Sequence, residues 1–206
     1  MTAPHTAVIT GTGVVLPGAH DPASLSGGRP ASAEPVDPAL LVGRKGLRYK
    51  DRATRLAYCA ADAALREAGL TTGDGPATAD ALTVPSASTG VVASSTLGNV
   101  DTVVRACEVI RSETVTGTSP MDLPNASSNV IASSVAIRFG LRGPNLMVCN
   151  GATGGLDAVR WAVTMLAAGR AERMLVLGVE PDTDEARALL GAPALDGAIA
   201  LVVETD

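Results

Sequence analysis

Short β-branched runs alternate with segments of helical period along this chain, and that alternation restricts its fold more than any other feature. Ala7–Leu16 (AVITGTGVVL) is bounded by Gly and Pro, the pattern of a buried strand entering a turn. Thr89–Ser95 (TGVVASS), Asn145–Cys149 (NLMVC), Arg173–Val179 (RMLVLGV) and Ala198–Thr205 (AIALVVET) are the other strand candidates. Between them, Asp51–Ala68 sets Leu56, Ala60, Ala63 and Ala64 on one side and Arg55, Asp62 and Arg66 on another, with Gly69-Leu70 as its stop. Asp101–Arg111 keeps helical spacing through Val104, Cys107 and Ile110, which places Cys107 in the core. Asn125–Phe139 does so through Ile131, Val135 and Phe139, and Leu156–Ala168 is a helix ended by Gly169. The expected fold is α/β, with a largely parallel, five-stranded mixed sheet and flanking helices; His20–Leu41 and Thr72–Ser88 read as surface connections.

Composition removes several function classes. A length of 206 residues with 46% hydrophobic content fits one domain with an ample core. A formal charge of -5 and a pI near 5.0 argue against nucleic-acid binding, which needs a basic face to neutralise phosphates. The cluster Arg44, Lys45, Arg48, Lys50, Arg52 and Arg55 is local: a solvated face, or a contact for an acidic protein. Met1–His5 has no leader pattern and no apolar run approaches the roughly 20 residues of a membrane span, so a cytoplasmic protein without membrane contact is expected. Cys59, Cys107 and Cys149 form no CxxC pair and sit among apolar residues, as reduced thiols do, and His5 and His20 offer no metal-ligand spacing. Gly11-Thr12-Gly13 invites a dinucleotide reading but lacks the third glycine and leads through Pro17-Gly18 into loop rather than helix. No cofactor or metal is expected.

The run Gly143-Pro144-Asn145-Leu146-Met147-Val148-Cys149-Asn150-Gly151-Ala152-Thr153-Gly154-Gly155 delivers a strand into a helix N-terminus. A nucleophile there would have its anion stabilised by the helix dipole and by N–H groups without helical partners. Here the sequence resembles the β-ketoacyl synthases of fatty-acid and polyketide assembly, members of the thiolase-like superfamily, in which a Gly-Pro strand leads to a Cys followed by small residues. Ala7–Pro17 is similar to the family's opening strand and Lys50–Leu70 (KDRATRLAYCAADAALREAGL) to its first long helix. Ser119–Asn145 is similar to the run before the catalytic strand, Gly169–Glu180 (GRAERMLVLGVE) to the next strand, and Asp196–Glu204 (DGAIALVVE) to the one closing the N-terminal half. The resemblance implies one thiolase-like half, a β-ketoacyl synthase N-terminal-like domain over residues 1–206.

Two departures from the family pattern bear on activity. Counted without gaps from Gly143-Pro144, Ala152 stands at the family's nucleophilic Cys, and a methyl group cannot hold an acyl chain as a thioester. Cys149, three positions earlier, is not placed to substitute. The family continues into a second half that supplies two histidines for decarboxylation and condensation, whereas no His follows His20 here. The segment between Glu180 and Asp196, near the family's active-site entrance, is also short. A pseudoenzyme without catalytic residues is therefore expected.

The resemblance also implies partners. In the family the two halves stack back to back, covering the helix after the nucleophile turn, and dimers join at the strand that here is Asn145–Cys149. That marks Asn145, Met147 and Cys149 as interface candidates, and the stretch before Leu123-Pro124, with Met121, Asp122 and Leu123, as a candidate gate on the partner's acyl tunnel. The expected role is a chain-length-factor-like subunit that forms a heterodimer with a full-length ketosynthase and meets acyl carrier protein through that complex. The alternatives are a malonyl-carrier-protein decarboxylase assembled with a separate C-terminal-half chain, and a self-associating structural protein.

Overall fold

The computed structural model describes residues 6–27, 34–73, 75–120 and 122–206. Five strands, β1 (Ala7–Val15), β2 (Thr89–Ser94), β3 (Asn145–Val148), β4 (Arg173–Glu180) and β5 (Gly197–Thr205), form one sheet in the order β1-β5-β4-β2-β3. β2 pairs parallel with both β3 and β4, whereas β5 runs antiparallel between β4 and β1. The sheet is thus mixed, with β5 the one reversed strand. Both faces of the central strands are covered, and β2 is buried along its whole length, which is why its residues read as a continuous apolar run.

The helices are α1 (Pro38–Val42), α2 (Arg52–Glu67), α3 (Val100–Glu113), α4 (Asp122–Asn125), α5 (Val130–Phe139), α6 (Gly154–Ala167) and α7 (Asp184–Leu190). Alternate residues of the strands divide the core between two faces. Val91, Ala93, Leu175, Leu177 and Val202 pack with α2 and α5, while Val92, Met174, Val176 and Val203 pack with Ala158, Ala162 and Leu166 of α6.

The start and stop of α2 follow its sequence. Buried Asp51 caps it, its carboxylate accepting from the Thr54 N–H at 2.8 Å and the Thr54 hydroxyl at 2.7 Å. Gly69, at φ 68°, reverses the chain so that the Leu70 N–H reaches the Leu65 carbonyl at 2.9 Å. Between these ends Ala53, Leu56, Ala57, Ala60, Ala61, Ala64 and Leu65 have no exposure. That alanine face lets α2 lie against β1 so closely that a Cβ on Gly11 would strike the Ala64 carbonyl oxygen, and one on Gly13 the Ala60 carbonyl oxygen. The Gly11-Thr12-Gly13 run is therefore a packing device. Glu67 fastens the same pair of elements, accepting from the Thr12 N–H and hydroxyl, each at 2.5 Å.

Three details differ from the sequence reading. β1 is an edge strand, half-covered at its start, with Ile9 59% exposed and only its second half buried. Asn125–Phe139 is not one helix: α4 ends at Asn125 and α5 begins at Val130. The break has a tertiary cause, because the Asn99 side-chain amide donates to the Asn125 carbonyl at 2.6 Å and the Ser127 carbonyl at 3.1 Å, drawing both out of a helical ladder. Cys107 is exposed rather than core, since α3 packs on α4, α7 and the turn at Val115–Gly117 and not on the sheet, leaving Thr102 as its buried residue. Cys149 is exposed as well.

Cys59 alone of the three thiols is buried, and desolvation pushes its pKa up to about 12. Native protein is expected to react with a thiol reagent at Cys107 and Cys149 and to yield the Cys59 adduct only on unfolding, as followed by peptide mass. Gly13→Ala is expected to destabilise the fold by about 1–3 kcal/mol through overpacking. Gly155→Ala, on the open first turn of α6 with no atom within 4 Å of its new methyl, is expected to be neutral or stabilising by up to about 1 kcal/mol, with both variants compared with the parent by denaturant titration.

Candidate functional site

The turn that the motif predicts joins β3 to α6. Gly143 and Pro144 bring β3 alongside β2: the Val91 N–H donates to the Pro144 carbonyl at 2.8 Å and the Gly143 N–H to the Thr89 carbonyl at 3.0 Å. A Cβ on Gly143 would lie 2.8 Å from the Gly90 nitrogen, so glycine is required there by close backbone approach. β3 stops at Val148, and after Cys149 and Asn150 a 3-10 turn over Gly151–Thr153 carries the chain into α6. Gly151, at φ 64°, makes the reversal.

Asp157, one turn into α6, clasps this turn. Its carboxylate accepts from the Asn150 amide at 3.0 Å and the Thr153 hydroxyl at 2.9 Å. Those bonds, the Asn150 one foremost, hold its pKa below the usual Asp range. Ala152 sits exposed at the centre of the turn and lines a cavity of about 410 Å³. The other walls come from the ends of β2 and β4 (Ser94, Thr96, Gly178, Glu180), the start of β5 (Gly197, Ala198, Ile199), and Leu190, Ala194 and Leu195. This is the carboxyl end of the parallel strands, where open α/β sheets place their ligands.

Glu180 is the charged residue of that lining, and its Oε1 accepts from both the N–H and the hydroxyl of Thr96 at 2.8 Å. Sequence reasoning placed Glu180 on a strand and missed its position beside the turn; a lone carboxylate closing the apolar run Met174–Val179 was the available signal. The short segment between Glu180 and Asp196 is ordered. Asp182 binds Arg187 through two contacts of 2.8 and 2.7 Å and accepts from the Ala194 N–H at 3.0 Å. Asp196, at φ 54°, receives a bidentate pair from Arg52 at 3.0 and 2.8 Å and accepts from the Asp182 N–H at 3.3 Å. The N-terminus of α2 thereby anchors one wall of the cavity.

The other candidate residues are dispersed. Cys149 is not in the cavity lining. Asn145 is turned towards α5, its Oδ1 accepting from Asn129 at 3.0 Å and its amide donating to the Ala132 carbonyl at 3.3 Å. Met147 packs in part against the α2 and α5 core, and both it and Asn145 are half-buried on β3, whose outer edge pairs with no strand among the described residues. Met121 lies outside the described residues. Asp122 is half-buried in a separate cleft with Arg48, Arg55 and Arg105, and Leu123 is 52% exposed beside it in sequence. Among the described residues there is no grouping of His, Cys, Asp and Glu suited to a metal, and no helix long and apolar enough to cross a membrane.

Residues 31–192 match the family model for the β-ketoacyl synthase N-terminal domain, and the chain belongs to that family. The 3-oxoacyl-[acyl-carrier-protein] synthase 2 of Coxiella burnetii is 27% identical over 150 residues, 73% of this chain and 34% of the relative. The solved structure of the ishigamide ketosynthase/chain length factor superposes with a TM-score of 0.74 at 26% identity, over 97% of this chain and 62% of that one. A type II polyketide synthase acyl-carrier protein in complex with its ketosynthase bound to the hexaketide (AntDE:AntF) gives a TM-score of 0.78 at 16% identity, over 98% and 62%. The chain thus spans about a third of the curated relative and under two thirds of either solved chain. The thiolase-like ketosynthase fold is shared throughout.

Because the native Asp157 pKa is depressed, its contribution to stability is complete above the unfolded pKa and is lost as pH falls through the native one. Thr153→Val is expected to raise the Asp157 pKa in an NMR titration. Its stability deficit against the parent should be constant above about pH 5 and shrink at lower pH.

Proposed function

We propose that this chain is a non-catalytic, chain-length-factor-like ketosynthase subunit that pairs with a catalytic β-ketoacyl synthase during polyketide or fatty-acid-type chain elongation. The observation that carries this reading is Ala152. Its methyl group occupies the centre of the strand–turn–helix at which the family places its cysteine, and it has neither the lone pair to attack a thioester nor an atom to hold the acyl group. The surrounding turn is well ordered: the close glycine approach at Gly143, the Asp157 clasp and the Glu180–Thr96 pair hold it in shape. An ordered turn without a nucleophile at its centre fits a subunit that acts through its shape.

Surface chemistry supports a partner. On α6, Leu156 is 77% and Trp161 46% exposed, and the α3–α4 region shows Val115 at 66% and Leu123 at 52%. Apolar exposure of this kind, together with an open β3 edge, favours association with another chain. The ketosynthase/chain length factor relative supplies the form of the assembly, a ketosynthase beside a chain length factor. Acyl carrier protein would then be met through the complex, and the reading places the chain among soluble cytoplasmic biosynthetic proteins.

Co-expression with ketosynthases is expected to give a heterodimer by native mass spectrometry and a change in product chain length when this chain is omitted. Incubation of the complex with an acyl-carrier-protein thioester should acylate the partner and leave this chain at its unmodified mass. Acylation of this chain would overturn the non-catalytic assignment, and a homodimer or monomer with every ketosynthase tried would overturn the pairing.

A further inference from the structure

A cleft of about 510 Å³ lies between the Val42–Lys50 segment, α2 and α5, and shares no lining residue with the Ala152 cavity. Arg44, Lys45, Lys50 and Arg138 line it, and no Asp or Glu does. None of these cations forms an ion pair among the described residues. The Lys50 ammonium donates to the Ser134 hydroxyl at 3.0 Å and the Asn125 side-chain oxygen at 3.2 Å, both neutral acceptors. Arg138 spends its terminal nitrogens on the carbonyls of Lys45 and Val42, at 3.3 and 3.1 Å, while its Nε is buried without a hydrogen-bond partner.

The carboxylates whose charge reaches this region are committed elsewhere. Both oxygens of Asp51 cap α2 through Thr54, Asp62 binds Arg66 and the Ala77 N–H, and Asp37 caps α1. The adjoining cleft around Arg48 and Arg105 shares Lys50 and contains the carboxylates Asp51, Asp101 and Asp122, but Arg44, Lys45 and Arg138 do not line it. Backbone shape preserves the opening: Gly43 and Gly46 have φ of 69° and 82°, and a Cβ on Gly46 would point to the Arg138 guanidinium at 3.4 Å. The remaining walls are apolar or neutral, with Val42, Pro76 and the 78% exposed Ile137 beside the hydroxyls of Tyr58 and Ser134.

We infer that this cleft is a binding site for a small organic phosphate, with the phosphate held by Lys50, Arg44 and Lys45 and the organic portion against Val42, Pro76 and Ile137. Like charges gathered around a concavity repel one another, and a dianion relieves that repulsion while accepting charge-assisted hydrogen bonds. A carboxylate carries half the charge and fewer acceptor oxygens. The volume falls within the roughly 300–1,000 Å³ typical of small-molecule sites. Occupancy would tie the Val42–Lys50 segment to α5, and through Lys50 and Asn125 to the end of α4. This inference does not depend on the ketosynthase-partner reading.

The test is calorimetric titration of the full chain at constant ionic strength with inorganic phosphate, phenyl phosphate and benzoate. Saturable binding of phenyl phosphate, tighter than inorganic phosphate and tighter than benzoate, is the expected result. Arg44→Gln combined with Lys45→Gln changes two exposed side chains outside any ion pair, and Lys50→Gln keeps a donor for Ser134; each is expected to weaken binding by about tenfold. Linear heats without saturation, equal binding of benzoate, or variants that bind phenyl phosphate like the parent would each overturn the site. Capture of an acidic carrier protein by the parent, lost in the variants and without any phosphate binding, would also overturn it by making the cleft a protein contact.

Discussion

The contact between the alanine face of α2 and the two glycines of β1 is the constraint on which the rest of the molecule depends. It brings a helix axis nearer to a sheet edge than any side chain at Gly11 or Gly13 would permit. The helix then reaches across β1, β5 and β4 and also receives α5 and α1. Its C-terminal end is held by Glu67 to Thr12, and its N-terminal end by Arg52 to Asp196. The second of these holds the Asp182–Asp196 segment over the Ala152 cavity, so the position of one helix sets the shape of a wall at the far end of the sheet.

Much of this was legible in the residues. The strands were readable because their β-branched runs are bounded by Gly and Pro, and α2 because its apolar and charged faces separate cleanly and its stop is a Gly. Where reading failed, the missing term was a contact distant in sequence. Helical spacing in α3 reports an apolar stripe but not what covers it, and Cys107 is exposed because the sheet lies elsewhere. The break before Val130 is made by Asn99, more than twenty residues upstream in the chain, through bonds that no local propensity encodes. The Ala152 turn was visible because strand, glycines and helix follow one another directly. Glu180 and the Lys50 cleft were not, since each assembles from several segments.

The turn itself separates two properties usually found together. Geometry for receiving charge at a helix start is a backbone matter, supplied by Gly143, Gly151 and the Asp157 clasp. Reactivity is a matter of one side-chain atom. The backbone geometry of the turn does not lean on the side chain at its centre, because the methyl of Ala152 is exposed.

The open edge of β3 has a mechanical consequence. This strand is four residues long, pairs with β2 on one side, and is separated from the Gly151–Thr153 turn by Cys149 and Asn150 alone. A chain that adds itself to the outer edge would grip the same backbone that ends in the turn, so a displacement of the strand along its axis is delivered to the turn without passing through side chains. Docking at the edge and the posture of the turn are therefore two readings of a single lever whose arm is the length of β3.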